Sequence, residues 1–209
     1  MEHADSSPSR SLRALRWMRR ELLPLFVMLL LLTAARSSFA NHYQVPSGSM
    51  QPTLQPGDRV AVDMSAYGVR LPLSDRILFE RGHPQRGDVA VFRSPRDGTR
   101  LIKRVVAVAG DRVTLTAGHL SLNGQPLAVD PRGEVEHFGG RLARLDLEVG
   151  GGPDIAGVTV PEGKLLVLGD HRGDSFDGRF FGFVDADSVY GKAVAVYWRR
   201  GEGLRWTPL

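Results

Sequence analysis

The chain has 209 residues, 42% of them hydrophobic, with 24 Gly, 13 Pro and no Cys. That length suits one ordinary domain, or one domain with a small insert, and the Gly and Pro content favours a sheet-rich body with many turns over a helical bundle. The missing cysteine excludes a thiol nucleophile, a thiolate metal site and a disulfide framework, and the net charge of +4, carried by 27 basic residues of which three are lysines, is too scattered to form a nucleic-acid stripe.

Residues 1–9 are small and polar; Arg10, Arg13, Arg16, Arg19 and Arg20 then precede an apolar run from Leu22 to Ala35. Its 14 residues cover about 21 Å as a helix, short of the roughly 30 Å hydrocarbon core of a bilayer. Extension to Ala40 spans it, with Arg36 snorkelling to the interface. A second reading competes: a basic region, an apolar region, and Ser38-Phe39-Ala40 as a small-x-small cleavage site. Both leave the arginines in the cytoplasm and residues 41 onward outside it. The expected organisation is a basic cytoplasmic segment over 1–21, a transmembrane anchor or uncleaved signal-like segment over 22–40, and an extracytoplasmic domain over 41–209.

Past residue 41 the chain is punctuated by Pro46, Pro52 and Pro56-Gly57, and no segment holds apolar residues at helical spacing over three turns. Short β-type runs follow at Arg59–Asp63, Asp88–Phe92, Leu101–Val108, Arg112–Thr116, Leu120–Leu122, Leu165–Leu168 and Val189–Trp198. Asn123-Gly124 is a two-residue hairpin signal. The expected fold is mainly β: an antiparallel sheet or barrel-like catalytic core with a small inserted β-rich domain around 115–163, preceded by one N-terminal transmembrane helix. The Gly-rich, charged stretch from 130 is expected to have a weaker core of its own.

Three stretches carry chemistry. In Val45-Pro46-Ser47-Gly48-Ser49-Met50-Gln51-Pro52, a serine on a stiff turn can expose its hydroxyl beside backbone N–H groups free to bind an oxyanion, although serine between Gly and Pro is ordinarily a plain turn residue. In Leu101-Ile102-Lys103-Arg104-Val105-Val106-Ala107-Val108, strand alternation puts Lys103 on one face with Leu101, Val105 and Ala107, and Arg104 on the other. Either the Lys103 stem is buried while the amine reaches water, or the amine itself is desolvated and partly neutral. Lowering its pKa from about 10.4 to about 8 costs on the order of 3 kcal/mol, and such an amine can take a proton from a serine hydroxyl. The third stretch, Gly169 to Gly182, is dense in Asp, Gly, Ser and Arg; Asp177 and Arg179 can pair across a turn. Its acids at 170, 174 and 177 miss EF-hand spacing, so no metal is expected.

In this order and spacing, the stretches resemble type I signal peptidases, membrane-anchored Ser/Lys endopeptidases that remove leader peptides from exported proteins. Tyr43 to Leu54 is similar to the family's nucleophile box and Gly57-Asp58-Arg59-Val60 to the strand after it. Gly82 to Phe92 fits a further family segment, Lys103-Arg104-Val105 with Gly110-Asp111 the lysine box, and Gly169 to Gly182 the last box. The resemblance covers roughly residues 43–111 and 165–198. It implies that Ser49 is the acylating nucleophile and Lys103 its general base, with Ser47 and the Ser49 N–H as oxyanion hole. Ser175 would hold the lysine amine, Asp177 and Arg179 would brace the site, and Asp170 would support the same loop. Val45, Pro46, Leu54, Leu101 and Ile102 would line pockets for the small residues at −1 and −3 of the substrate. Three positions depart from the family pattern: His171 where Asn is usual, Gly178 where Ser is common, and Gly173 where an acid often stands.

The resemblance implies no cofactor. Its partners are exported preproteins and a lipid bilayer rather than nucleic acid, and its location is the bacterial inner membrane, single-pass, with the catalytic domain on the periplasmic side. The apolar segment Tyr67 to Leu73, with Ile77-Leu78-Phe79, is either ordinary core or a patch resting in the bilayer interface. Rival readings are a self-cleaving Ser/Lys peptidase, a histidine triad using His171, and a non-catalytic exported β-module.

Overall fold

The computed structural model describes residues 17–29, 40–70 and 77–209. Helix α1 covers 17–29. Strands β1 (Ala40–Gln44) and β2 (Arg59–Asp63) flank a long loop; β3 (Gly68–Arg70) and β4 (Ile77–Glu80) form a short ribbon before β5 (Val89–Arg93) and β6 (Arg100–Val108). The insert contains β7 (Arg112–Thr116), β8 (His119–Leu122), β9 (Gln125–Pro126), β10 (Val135–Phe138), β11 (Arg141–Arg144) and β12 (Ile155–Thr159). The chain then returns through β13 (Lys164–Leu168), a one-turn helix α2 (Gly178–Phe181), β14 (Val184–Asp185), β15 (Val189–Arg199) and β16 (Gly203–Pro208).

The protein is mainly β and its strand pairs are antiparallel. The main sheet runs β1-β2-β15-β5-β6-β13-β14, with β16 added to β15. Among the described strands its two ends do not pair, so of the sheet or barrel-like core expected it forms an open sheet. Val89 to Phe92 of β5 are all buried, as their unbroken apolar run requires. By contrast β7 alternates, with Val113 and Leu115 inward and Arg112, Thr114 and Thr116 outward. Asn123 and Gly124 adopt φ of 53° and 82°, the left-handed pair that a two-residue hairpin turn demands, and β8 and β9 pair across them.

Two expectations change at this level. Leu166 pairs with Ala107 and Val167 with Val105, which leaves Val106 as an extra residue in β6. That bulge breaks the alternation: Ala107 joins Val106, Leu166 and Leu168 in one cluster instead of sharing the Lys103 face, while Val105 packs with Phe92 and Val167 in another. The apolar residues of the insert (Val113, Leu115, Leu120, Leu122 and Phe138) belong to the same cluster as Val106 and Leu168. Their core is therefore continuous with the main sheet, because six short strands in two small sheets cannot bury enough apolar surface alone.

Of the two readings of the segment from Tyr67, core burial holds for Tyr67 itself: it is buried, and its hydroxyl donates to Asp88 at 3.0 Å. Phe79 is exposed, and residues 71–76 lie outside the described residues. Trp17, Leu22, Leu25 and Phe26 of α1 are exposed. Among the described residues no helix is long and apolar enough to cross a membrane, and positions 30–39 of the expected anchor lie outside them. Ala40, the anchor's last expected residue, already pairs with Asp63 as the first residue of β1.

Candidate active site

The loop between β1 and β2 is tied shut at its base. The Val45 N–H donates to the Asp58 carbonyl at 2.8 Å and the Gly57 N–H to the Val45 carbonyl at 2.8 Å. The Asp58 carboxylate is buried and gripped by Arg199 of β15, with Nη2 at 2.7 Å from Oδ2; the same guanidinium donates to the Thr53 carbonyl at 3.2 Å. Met50 and Leu54 are fully buried and anchor the loop to the cluster containing Val60 and Val91. A Gln51 N–H to Gly48 carbonyl bond of 2.9 Å closes the turn that carries Ser49. Ser49 is thus half-buried on a stiff support.

Lys103 faces it from β6, which pairs with β5 through Ala90. The residue is only 2% exposed, and its Nζ donates to Ser49 Oγ. The amine therefore does not reach water. Burial pushes its pKa down to about 8, against the upward pull of Asp177 and Asp170. Ser47 Oγ stands 3.4 Å from Ser49 Oγ, and among the described residues the Ser49 N–H has no acceptor.

The last loop is built from ion pairs. Asp170 is fully buried and takes a two-pronged bond from Arg104, at 2.8 and 2.7 Å, and the Thr53 hydroxyl at 2.6 Å. Arg104, expected on the face opposite Lys103, fastens the last loop and the Ser49 loop together through Asp170. Burial opposes the Arg104 charge, and Asp170 with its hydrogen bonds outweighs that and raises the pKa. Asp177 accepts from Arg179 Nε and Nη2, each at 2.8 Å, and from the Gly169 N–H at 2.9 Å. Arg179 reaches on to the Gly151 carbonyl at 2.7 Å, so the brace extends into the insert.

Gly169 is where the loop touches Ser49. A Cβ there would lie 2.2 Å from Ser175 Oγ and 2.3 Å from the Ser49 carbonyl oxygen. Ser175 is therefore beside Ser49, but its buried hydroxyl has no partner among the described residues and does not hold the lysine amine in this resting arrangement. The His171 N–H donates to the Ser49 carbonyl at 3.3 Å, while its ring nitrogens make no hydrogen bond among the described residues. No histidine triad is assembled.

The two glycine departures have a steric cause. A Cβ on Gly178 would meet Leu166 Cδ1 and the Val167 carbonyl at 2.8 Å, and one on Gly173 the Gly150 carbonyl at 2.6 Å. A cavity of about 160 Å³ is lined by Val45, Pro46, Leu101 and Ile102, together with Tyr43, Gln44 and Arg100. Leu54 is not part of it: the side chain is fully buried in the core beneath.

Residues missed from the sequence act at long range. Arg172 and Glu136 form a fully buried pair at 2.6 Å that joins the last loop to β10. Nothing near Glu136 in the sequence signals it. Among the described residues no group of three His, Asp or Glu could hold a metal ion.

A serine hydroxyl bonded to a desolvated lysine, on a β scaffold, is an arrangement that can support hydrolysis by a serine with an amine as its base. Comparison with known proteins identifies the kind. The family model described as "Signal peptidase, peptidase S26" matches residues 18–198. Signal peptidase I of Pseudomonas fluorescens is 36% identical over 198 residues, covering 82% of this chain and 69% of the relative. Signal peptidase I of Pseudomonas aeruginosa is 35% identical over 202 residues, with the same coverage of 82% and 69%. A solved signal peptidase I from Enterococcus faecalis V583 aligns at 36% identity with a TM-score of 0.40, covering 54% of this chain and 98% of that one. On the sequence matches, the chain belongs to the signal peptidase, peptidase S26 family: it is a serine endopeptidase that removes signal peptides.

Proposed function

We propose that Ser49 is the nucleophile and Lys103 the general base of this endopeptidase, acting after small residues at −1 and −3 of an exported preprotein. The observation that carries this is the bond from Lys103 to Ser49 Oγ by an amine held near pKa 8. At pH 7 about a tenth of such an amine is neutral, against fewer than about one in a thousand for free lysine. The neutral amine takes the hydroxyl proton as Oγ attacks the scissile carbonyl, and the resulting ammonium gives it to the leaving amine. The unengaged Ser49 N–H and the Ser47 hydroxyl donate to the carbonyl oxygen as it becomes O⁻. The unpartnered Ser175 hydroxyl is the acceptor for Lys103 once it is protonated. Asp177 with Arg179, and Asp170 with Arg104, hold these groups in register.

The same reading places the chain at the bacterial inner membrane. Arg10 to Arg20 stand on the cytoplasmic side, 22–40 is the anchor, and the domain from 41 is periplasmic. The exposed apolar side chains of α1 support it, as does the chain length: Ser49 follows Ala40 by nine residues, at most about 30 Å of extended chain. The site then meets a leader peptide where it leaves the bilayer. Cleavage of a leader-bearing preprotein by wild type, Ser49→Ala, Lys103→Ala and His171→Ala tests the chemistry. The first two variants lose activity and the third keeps most of it; a preserved rate in Lys103→Ala would end the proposal. Protease accessibility of the domain in spheroplasts tests the topology.

A further inference from the structure

The cavity beside Val45 and Ile102 is apolar apart from Tyr43, Gln44 and Arg100, and of these only Arg100 carries a charge. Arg100, the first residue of β6, shares a face with Ile102, and its guanidinium lies over the Tyr43 ring at 4.3 Å while Nε donates to the Tyr190 hydroxyl at 2.9 Å. Both tyrosines pack against the cluster that contains Val45 and Val91, so this exposed cation is held in one orientation by rigid aromatic neighbours. Directly across the ladder stands a second arginine, Arg93 of β5. Among the described residues no carboxylate pairs with either one, although Arg86, Arg104, Arg141, Arg172, Arg179 and Arg199 each have an acidic partner. Like charges facing each other across a ladder destabilise it. Placed at the mouth of a cavity, an unpaired and oriented cation is complementary to an anion on whatever enters.

We infer that Arg100 is a specificity-determining residue: it selects leader peptides that carry a carboxylate side chain next to the small residues at the cavity, and rejects those with a basic one. The inference rests on the reading of Ser49 and the cavity given above. Arg100 touches the substrate rather than the reacting atoms, so its effect falls on discrimination between substrates. A rim charge of this kind changes binding about two- to fivefold, and replacing Glu by Lys exchanges attraction for repulsion, so the ratio of kcat/KM between them is about tenfold.

The experiment uses the full chain in detergent micelles and a set of leader peptides with Ala at −1 and −3. Positions −2, −4 and −5 carry Glu, Gln or Lys in turn. Wild type prefers Glu over Lys by about tenfold at one of these positions, and the preference shrinks as salt is raised. Arg100→Gln flattens the ratio and Arg100→Glu reverses it, a gain for the Lys peptide that damage to the fold cannot mimic. An unchanged Glu-to-Lys ratio in Arg100→Glu overturns the inference alone. Failure of wild type to cut any peptide overturns the catalytic reading and the inference with it.

Discussion

Replacing Lys103 by methionine should abolish cleavage and yet make the protein more stable at neutral pH. In the folded protein burial moves the amine from 10.5 to about 8. At about 1.4 kcal/mol per pH unit, keeping that amine charged in its site costs about 3 kcal/mol. The sign follows from proton counts. Between about pH 8 and 10.5 the unfolded chain still binds the Lys103 proton while the folded one has released it, so stability rises with pH across that window. Below pH 8 the whole penalty is present; above 10.5 it is gone. Methionine has similar length and no charge, so it removes the penalty and forfeits only the bond to Ser49, worth about 1 kcal/mol. The expected net gain is about 2 kcal/mol at pH 7, falling by about 3 kcal/mol and turning into a small loss by pH 11. Urea unfolding of the full chain in micelles at pH 7, 9 and 10.5 measures it, with wild type and variant compared at each pH so that other titrations cancel. A difference that stays flat across those pH values would refute a desolvated amine and the chemistry that depends on it. The matching activity profile of wild type rises through a midpoint near 8 and levels off by about pH 9.

Four further outcomes follow from the packing. Gly169→Ala drives a methyl into Ser175 Oγ and the Ser49 carbonyl, so kcat in the preprotein assay should fall by about a hundredfold or more, since displacement of a nucleophile by about 1 Å is enough for that. Asp170→Asn strands the buried Arg104 charge, and calorimetry should show a loss of about 3 kcal/mol with the cooperative transition retained. Leu54→Ala opens a void in the core and costs about 2–5 kcal/mol without widening the range of residues accepted at −1 and −3. Ile102→Ala, which does line the cavity, should widen that range in a peptide panel.

Local signals were enough for much of this protein. The unbroken apolar run of β5, the alternation of β7 and the Asn123-Gly124 turn are visible in the chain because their causes lie within a few residues. Ser49 and Lys103 were singled out only by the resemblance of their stretches to the signal peptidase family, since a serine in a Pro-Gly turn and a lone lysine in an aliphatic strand are each ordinarily structural. What the chain could not reveal depends on residues far apart in sequence. The bulge at Val106 exists because β13 pairs with β6 out of simple register, and it moves Ala107 to another cluster. Leu54 reads as a pocket residue until the loop folds it beneath Met50 and Val60. Arg104 with Asp170, Arg172 with Glu136 and Arg199 with Asp58 join segments 66, 36 and 141 residues apart. A buried ion pair gives no periodicity and no turn chemistry. It is decided only when the sheet brings its two halves together and excludes water from both, and the same exclusion lowers the pKa of Lys103.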